Sequence, residues 1–545
     1  MTFVGTVDGA ATRLALTDDD QLTLTSVTHG VTWVDVPAAL VLDAHCDACT
    51  VTWSFLSPRT RPYRAALGQR VWPTYPYTHY RLARDAWRTR DASALAAPLH
   101  CTTLTASLAT PADAERLCAA LLAAAYPHSA PHRRVLVVCN PVSGRGRGRA
   151  ALDDAVRPIL RAAGCAVEVV LLAQRFDALR QLATRDLHAV DALVVVGGDG
   201  TMHEVLNALA ARADAADALR TPLVPVPAGS GNALYINLHG DGHGASAPLA
   251  CLSAIKGTPY AHELCVVTQP AALFAAPPYP LVHTDAHGSY VQYYAFLSVA
   301  LGVLADVDLG TEWMRALGDA RFTLGYLAGV WRNAACDVDV DVCLGAQGTV
   351  DRAAARATHA APRTPRAPHA LAHGSVLAPL VRTAAPITVA ADACALQCAA
   401  APHDAWRALD VPVSTLYVGK LPYASRAFMP FPYASPDDGT LDVTLQNQAT
   451  SIPTKLASMQ ESVHGDHIHA PGMHYLKAEA VRVTPRHTAP GTHFVSVDGE
   501  SLPYGPLQIE VAPLAAHFLA LRDAHWQPPA LARPAVARHA ASHGS

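Results

Sequence analysis

Asp199 is the one ionisable side chain in the turn Gly197-Gly198-Asp199-Gly200, which joins an apolar run, Ala192–Val196, to a helical pattern. A carboxylate fixed at such a turn can orient an attacking hydroxyl and take its proton. The flanking glycines lack Cβ atoms, so backbone amides there can approach a bulky anion. Two more small-residue loops share that character. Cys139–Ala150 reads CNPVSGRGRGRA, in which Ser143, Gly144, Gly146 and Gly148 keep the loop compact and Arg145, Arg147 and Arg149 are cationic donors. Gly229, Ser230, Gly231 and Asn232 form the other. Small residues with arginine at strand-to-helix turns suit oligophosphate binding by geometry and charge. The arginine-bearing loop is not a Walker A loop, because the GKS/T ending is missing. Each loop alone also has a plain reading, a helix-capping aspartate in one and a solvated basic turn in another. Together they favour a phosphate-rich ligand.

The elements that must carry these loops are legible in the hydrophobic pattern. Arg133–Val138, Ala166–Leu172, Ala192–Val196 and Leu223–Val226 are continuous apolar runs of the kind buried on both faces of a parallel sheet. Helical patterns follow them, with Met202, Val205, Leu206 and Leu209 at helical spacing after the GGDG turn and another stretch over Phe176–Thr184. Strand and helix alternate from Arg133 to Leu238, which predicts an α/β doubly wound parallel sheet with all three loops at the C-terminal ends of strands, where ligands bind in such sheets. The expected organisation is a β-rich extension over 1–125 with a helix at Pro111–Ala125, an α/β nucleotide-binding domain over 132–262, and a mostly antiparallel β-sandwich over 263–520. The extension is expected to be regulatory, membrane-targeting (of pleckstrin-homology type) or purely structural. Gly348–Pro402, rich in Ala, Pro, Thr, Arg and His, is expected as a poorly ordered insertion, and 526–545 as a loose tail. Tyr293–Asp308, YYAFLSVALGVLADVD, is either a hydrophobic wall closed by a carboxylate or a core strand with a turn-forming aspartate.

Composition narrows the function classes. A formal charge of −4 and a pI near 6.7 give no broad basic field, so a nucleic-acid partner is not expected. The start lacks the basic and apolar regions of a secretory signal, and the longest apolar window, Tyr293–Ala305, falls short of the about 20 residues a spanning helix needs. The expectation is a cytoplasmic protein, peripherally associated with membranes, with reduced thiols. Cys46 and Cys49 make a single CxxC without a second pair at ligand spacing, and His464, His467 and His469 read as solvated loop imidazoles, so neither group is expected to hold zinc.

Taken together, NPVSGRGRGRA, GGDGTMHEVLNAL, PAGSGNAL, ADVDLGTEWMRALGDARFTLG and SVDGE, in that order, resemble the diacylglycerol kinase catalytic superfamily and, within it, the sphingosine (long-chain base) kinases. The resemblance covers about Arg133–Gly345 and Val413–Ala515. It implies transfer of the ATP γ-phosphate, with Mg²⁺ carried mainly by ATP, to the primary hydroxyl of a sphingoid base. By the same resemblance, Asp199 is the general base. Asn140, Pro141, Val142, Glu204, Gly229, Ser230, Gly231, Arg315, Arg321, Asp498, Gly499 and Glu500 fall at nucleotide-contacting positions. Gly197, Gly198, Gly200, Ser298, Leu304 and Asp308 fall with Asp199 at the lipid site, where Asp308 faces the amino and hydroxyl head. Family members usually have a threonine where Ala173 stands, which leaves a phosphate or ribose contact in question. A lipid partner and peripheral docking follow; homodimerisation stays open. The competing readings are a diacylglycerol or ceramide kinase, a non-catalytic lipid-binding scaffold, and an NAD kinase.

Overall fold

The computed structural model describes residues 1–28, 30–60, 79–81, 99–240, 245–310, 320–332, 336–344, 371–382, 386–388, 406–487 and 493–521. The amino-terminal part is an antiparallel meander, Thr2–Val7, Ala10–Leu16, Gln21–Ser26 and Thr32–Pro37, continued by Val41–Asp47, Thr50–Thr60 and Leu99–Leu108. Leu99–Leu108 pairs with both Thr2–Val7 and Thr50–Thr60, so the sheet curls back on its first strand. Its polar and apolar residues alternate, which buries Leu22, Leu24 and Ser26 on one face. The helix Pro111–Ala125 then covers it. Thr110 caps that helix by accepting the Asp113 amide at 3.1 Å, proline opens its first turn, and Ala114, Leu117, Cys118, Leu121 and Ala125 form the buried stripe.

Next comes a parallel sheet in the order Ala166–Leu171, Arg134–Cys139, Ala192–Gly197, Leu223–Pro227. The chain steps from Arg134–Cys139 to one side and then to the other, so the loops after Arg134–Cys139 and Ala192–Gly197 diverge and open a crevice. Both faces of the sheet are covered, as the unbroken apolar runs require. Leu136, Val138, Leu193 and Val195 pack toward the helix Asp199–Ala210 and the second domain. Val135, Val137, Val194 and Val196 pack toward Leu152–Val156, Arg157–Ala162 and Ala247–Lys256, in a core shared with Trp33 and Trp53 of the amino-terminal part. Each buried valine is worth about 1.5–3 kcal/mol relative to exposure. The amino-terminal part is thus seated on one face of the sheet. Lys256 fastens the joint, donating to Ala39 O at 2.7 Å and to Val41 O, with its ammonium 4.6 Å from the Tyr126 ring.

The strand Thr258–Pro270 leads into a mostly antiparallel β-sandwich. It pairs along its length with Leu507–Ala520 and over its second half with Gly288–Ala295. The long strand Met473–Pro485 belongs to both layers, with its first half against Leu441–Asn447 and its second against Leu507–Ala520 and Val338–Leu344. The other layer continues through Val413–Gly419 and Ser298–Gly302 to Val495–Val497.

Two expectations are corrected here. Within the supposed insertion, residues 371–382 pack on the sandwich. Arg482 donates to Ser375 O and Ala378 O at 2.8 and 3.0 Å, the amides of Ala372 and His373 donate to Glu510, and Arg382 pairs with Asp341. Buried charged side chains need partners, and this segment supplies them. Apart from 386–388, the rest of 348–402 and the tail 526–545 lie outside the described residues. His467, expected as a solvated loop imidazole, is buried beside Phe428 in the short helical turn Asp466–His469, and burial pushes its pKa down to about 4.

Candidate active site

Tyr293–Asp308 divides into the end of the strand Gly288–Ala295, the strand Ser298–Gly302 and the helix Val303–Gly310. The carboxyl end of the parallel sheet faces this part of the sandwich, and the glycine turns meet there. Gly198 and Gly229 lie backbone to backbone: a Cβ on Gly229 would sit 2.3 Å from Gly198 Cα, and one on Gly198 would sit 2.9 Å from Gly229 Cα. Glycine at these two positions is therefore demanded by the contact between loops. Asn232, at φ +53°, closes the second loop by accepting from Gly229 N and donating to Gly229 O, both at 2.9 Å. In the first loop Gly144, Arg145 and Gly146 all take positive φ. A Cβ on Gly144 would be 2.1 Å from Ala228 O, so this loop too is pressed against its neighbour.

The arginines there do more than offer charge. Arg147 donates to Gly144 O at 3.1 Å and to Gly229 O at 2.8 Å, clamping two loops together. Arg149 pairs with Asp153. Asn140 reaches Thr201 Oγ1 at 3.3 Å and accepts the Val142 amide, tying the first loop to the GGDG helix. Pro141 and Ser143 border it, and Val142 stands 76% exposed at its rim. Ser230 and Gly231 are exposed on the second loop, where a Cβ on Gly231 would crowd Asp199 Oδ2 at 2.9 Å. The set fits an anionic nucleotide: backbone amides, small residues and guanidinium groups line one rim. Among the described residues there is no group of three or more His, Cys, Asp and Glu side chains placed to hold a metal ion.

Asp199 opens the helix Asp199–Ala210. Its carboxylate accepts from Ala233 N at 2.8 Å and Leu234 N at 3.2 Å, so it caps the neighbouring helix Ala233–His239. The capping reading of the GGDG turn is thus realised, though on the adjacent helix. Burial, opposed by those two amides and reinforced by the nearby charge of Asp498, raises its pKa from 3.8 to about 6. That is the range in which a carboxylate works as a base near neutral pH. Below it lies a water-sized cavity of about 10 Å³, lined in part by Gly197, Gly198, Met202 and Leu234.

Asp308 and Ser298 come from the sandwich. Asp308 lies on the helix Val303–Gly310 and accepts from Ser496 Oγ at 2.6 Å. Leu304 sits between two apolar groups on the same helix, one holding Tyr417, Phe428 and Phe494 and the other Val307, Tyr326 and Leu456. Ser298 Oγ donates to the Tyr417 hydroxyl at 2.9 Å. Burial pushes the ionisation of Tyr417 up, and the charges of Asp308, Asp498 and Asp199 all reach it and push the same way. Tyr417 is a buried phenol that the sequence pattern gave no reason to single out.

Two of the expected nucleotide ligands point elsewhere. Glu204 is buried, and its Oε1 accepts from Ala178 N at 2.8 Å, holding the start of the helix Asp177–Leu182; burial raises its pKa. Asp498, at φ +51°, is buried with its carboxylate turned into the sandwich. Gly499 follows it at φ +85°, and a Cβ there would be in van der Waals contact with Asp308 Oδ2 at 3.9 Å. Glu500 does face the cleft. It pairs with Arg175, and a Cβ on Gly200 would lie 2.9 Å from its Oε1. Arg175 also stacks 4.8 Å from the Phe176 ring, close in the chain to Ala173, whose amide is held by Asp177 at 2.9 Å. Arg321 falls in the helix Ala320–Arg332, and Arg315 lies outside the described residues.

Residues 134–267 match the diacylglycerol kinase catalytic domain, and residues 298–520 match the YegS C-terminal NAD kinase beta sandwich-like domain. Over 404 residues, 74% of this chain and 78% of the relative, it is 27% identical to sphingoid long chain base kinase 4 of Schizosaccharomyces pombe. It is 24% identical to sphingoid long chain base kinase 5 of Saccharomyces cerevisiae over 72% of this chain and 60% of that protein. Identity to human sphingosine kinase 1 is 36%, across 35% of this chain and 47% of that protein, so the match spans about half the human enzyme's length.

Proposed function

As a chain that belongs to the diacylglycerol kinase catalytic superfamily, this protein is, we propose, an ATP-dependent lipid kinase that phosphorylates the primary hydroxyl of a sphingoid long-chain base. The observation that carries the reading is the approach of the two domains at the GGDG turn, where a Cβ on Gly200 would lie 2.9 Å from Glu500 Oε1 and one on the preceding Gly499 would lie 3.9 Å from Asp308 Oδ2. A nucleotide along the glycine loops would present its terminal phosphate near Asp199, and ATP supplies the phosphoryl group. Transfer has a loose transition state, so the residues act mainly by positioning and charge. Asp199 orients the hydroxyl and takes its proton as the oxygen bonds to phosphorus and ADP leaves. Arg147, held across two loops, keeps their amides in register. Asp308, at the end of the apolar helix Val303–Gly310, offers a charge partner to a cationic head beside the wall that would hold the chain. No helix among the described residues is long and apolar enough to cross a membrane, so access to a bilayer lipid would be peripheral.

A panel of sphingosine, dihydrosphingosine, phytosphingosine, ceramide and diacylglycerol with purified protein and Mg-ATP tests the reading. The sphingoid bases are expected to be the substrates, and Asp308→Ala is expected to raise their KM at least tenfold. Diacylglycerol turnover above that of every sphingoid base, unaffected by Asp308→Ala, would replace this reading with that of a neutral-lipid kinase.

A further inference from the structure

The helices that follow the two glycine turns are stitched to the sandwich by the same device. Asn207 donates to Tyr294 O and accepts from Tyr294 N, both at 2.9 Å. Asn237 does the same to Tyr423, at 2.8 and 3.0 Å. Each carboxamide reads one residue's backbone N–H and C=O together, as a neighbouring strand would, and so fixes both distance and direction. Both asparagines are buried, with 0% and 5% exposure.

Between them stands a third link. His203, one turn beyond Asp199, places Nδ1 at 3.1 Å from Asp498 Oδ2, while Nε2 lies 3.3 Å from Asn207 Nδ2. Asp498 can only accept, so Nδ1 carries the proton of that bond, while Asn207 Nδ2 gives its two hydrogens to Tyr294 O and His203 O, each at 2.9 Å. Asp498 in turn accepts from Phe296 N at 3.1 Å, Leu297 N at 3.0 Å and Ser298 N at 2.9 Å. Four donors thus occupy a carboxylate with about four lone-pair sites. Those three amides lie at the joint between Gly288–Ala295 and Ser298–Gly302, and the latter strand runs on into the helix bearing Leu304 and Asp308.

We propose that His203 is a positioning residue that, through Asp498, fixes the Asp199 helix against the 296–298 joint, and that Asp498 is an anchor between domains and not a nucleotide ligand. The proposal rests on the lipid-kinase reading for its kinetic consequence. The geometry behind it is independent of the substrate. The pair sets where Asp199 stands relative to Ser298 and Asp308, the two sides between which the hydroxyl must lie. Misplacement by about 1 Å costs roughly a hundredfold in rate. Nucleotide affinity, which depends on the loops on the other side of Asp199, is not involved.

The test uses the full-length protein with His203→Asn, His203→Gln and His203→Ala. Asparagine puts its amide N–H near the Nδ1 position and keeps the bond to Asp498. Glutamine reaches instead toward Nε2 and loses that bond. His203→Asn is expected to keep kcat within about threefold of wild type, whereas His203→Gln and His203→Ala lower kcat about a hundredfold, with the KM for ATP and the Kd for ADP unchanged. Amide hydrogen exchange at 296–298 is expected to quicken in the Gln and Ala variants and not in the Asn variant. That readout needs no turnover, so it stands even if none of the sphingoid bases is a substrate, in which case only the functional reading fails. A parallel rise in the Kd for ADP, equal behaviour of His203→Asn and His203→Gln, or unchanged exchange at 296–298 would overturn the proposal.

Discussion

Asp199→Asn separates chemistry from stability at one carboxylate. In the folded protein Asp199 holds its proton more tightly than in the unfolded chain, with a pKa near 6 against 3.8. Folding therefore takes up a proton between those values, stability falls as pH rises through that window, and the full penalty is present above pH 6. The shift corresponds to about 3 kcal/mol, an upper bound because the residue is only partly buried. Asparagine removes the charge. Its oxygen keeps the 2.8 Å bond from Ala233 N, but its amide group cannot accept from Leu234 N, a loss of about 1 kcal/mol. The variant is expected to be about 1 kcal/mol more stable than wild type at pH 8, and equal or slightly less stable at pH 4, where the wild-type carboxyl is already protonated. Turnover is expected to fall by about 10²–10⁴, the range for loss of a general base. The wild-type rate should rise with pH and level off above about 6. Denaturant unfolding at both pH values and an ADP-release assay on the same preparation read all of this. Undiminished turnover, or a stability change that does not depend on pH, would refute the reasoning.

Two further outcomes follow from close contacts. Gly198→Ala drives a Cβ to 2.9 Å from the Gly229 backbone, which cannot yield as a side-chain tip would; the loops separate, the KM for ATP is expected to rise at least tenfold, and stability to drop by about 1–3 kcal/mol, measured by steady-state kinetics and urea unfolding. Lys256, whose pKa burial lowers from 10.5 to about 7, binds its proton less tightly when folded, so stability should rise between about pH 7 and 10; in Lys256→Met that rise is expected to flatten, as unfolding curves across the pH range would reveal.

Much of the parallel sheet could be read from the chain because its signals are local. A strand buried on both faces has to be apolar throughout, and Ala192–Gly197 is. The helix Pro111–Ala125 was expected over the residues it occupies, whereas its cap by Thr110 emerged with the structure. The glycine turns were likewise visible, since residues without Cβ mark places where backbones come close. Their reason was not visible: Gly198 and Gly229 serve each other before any ligand, a fact that depends on the loops lying side by side.

What only the tertiary structure decided is where polar side chains point. Asp498 and Glu204 carry the same charge in the sequence whether they face a nucleotide or three backbone amides, and only packing turned Asp498 inward. His203 and Asn207 lie within a motif and four residues apart on one helix face, yet their partners are 295 and 87 residues away. Hydrophobic periodicity fixes which face of an element is buried, whereas a hydrogen bond between distant segments is fixed only when both are placed. The chain alone thus determined the elements and the turns that can bring acids and amides to one rim. The fold determined that the GGDG turn and Asp308 both lie against Gly499 and Glu500, and that a buried histidine holds the two domains in register.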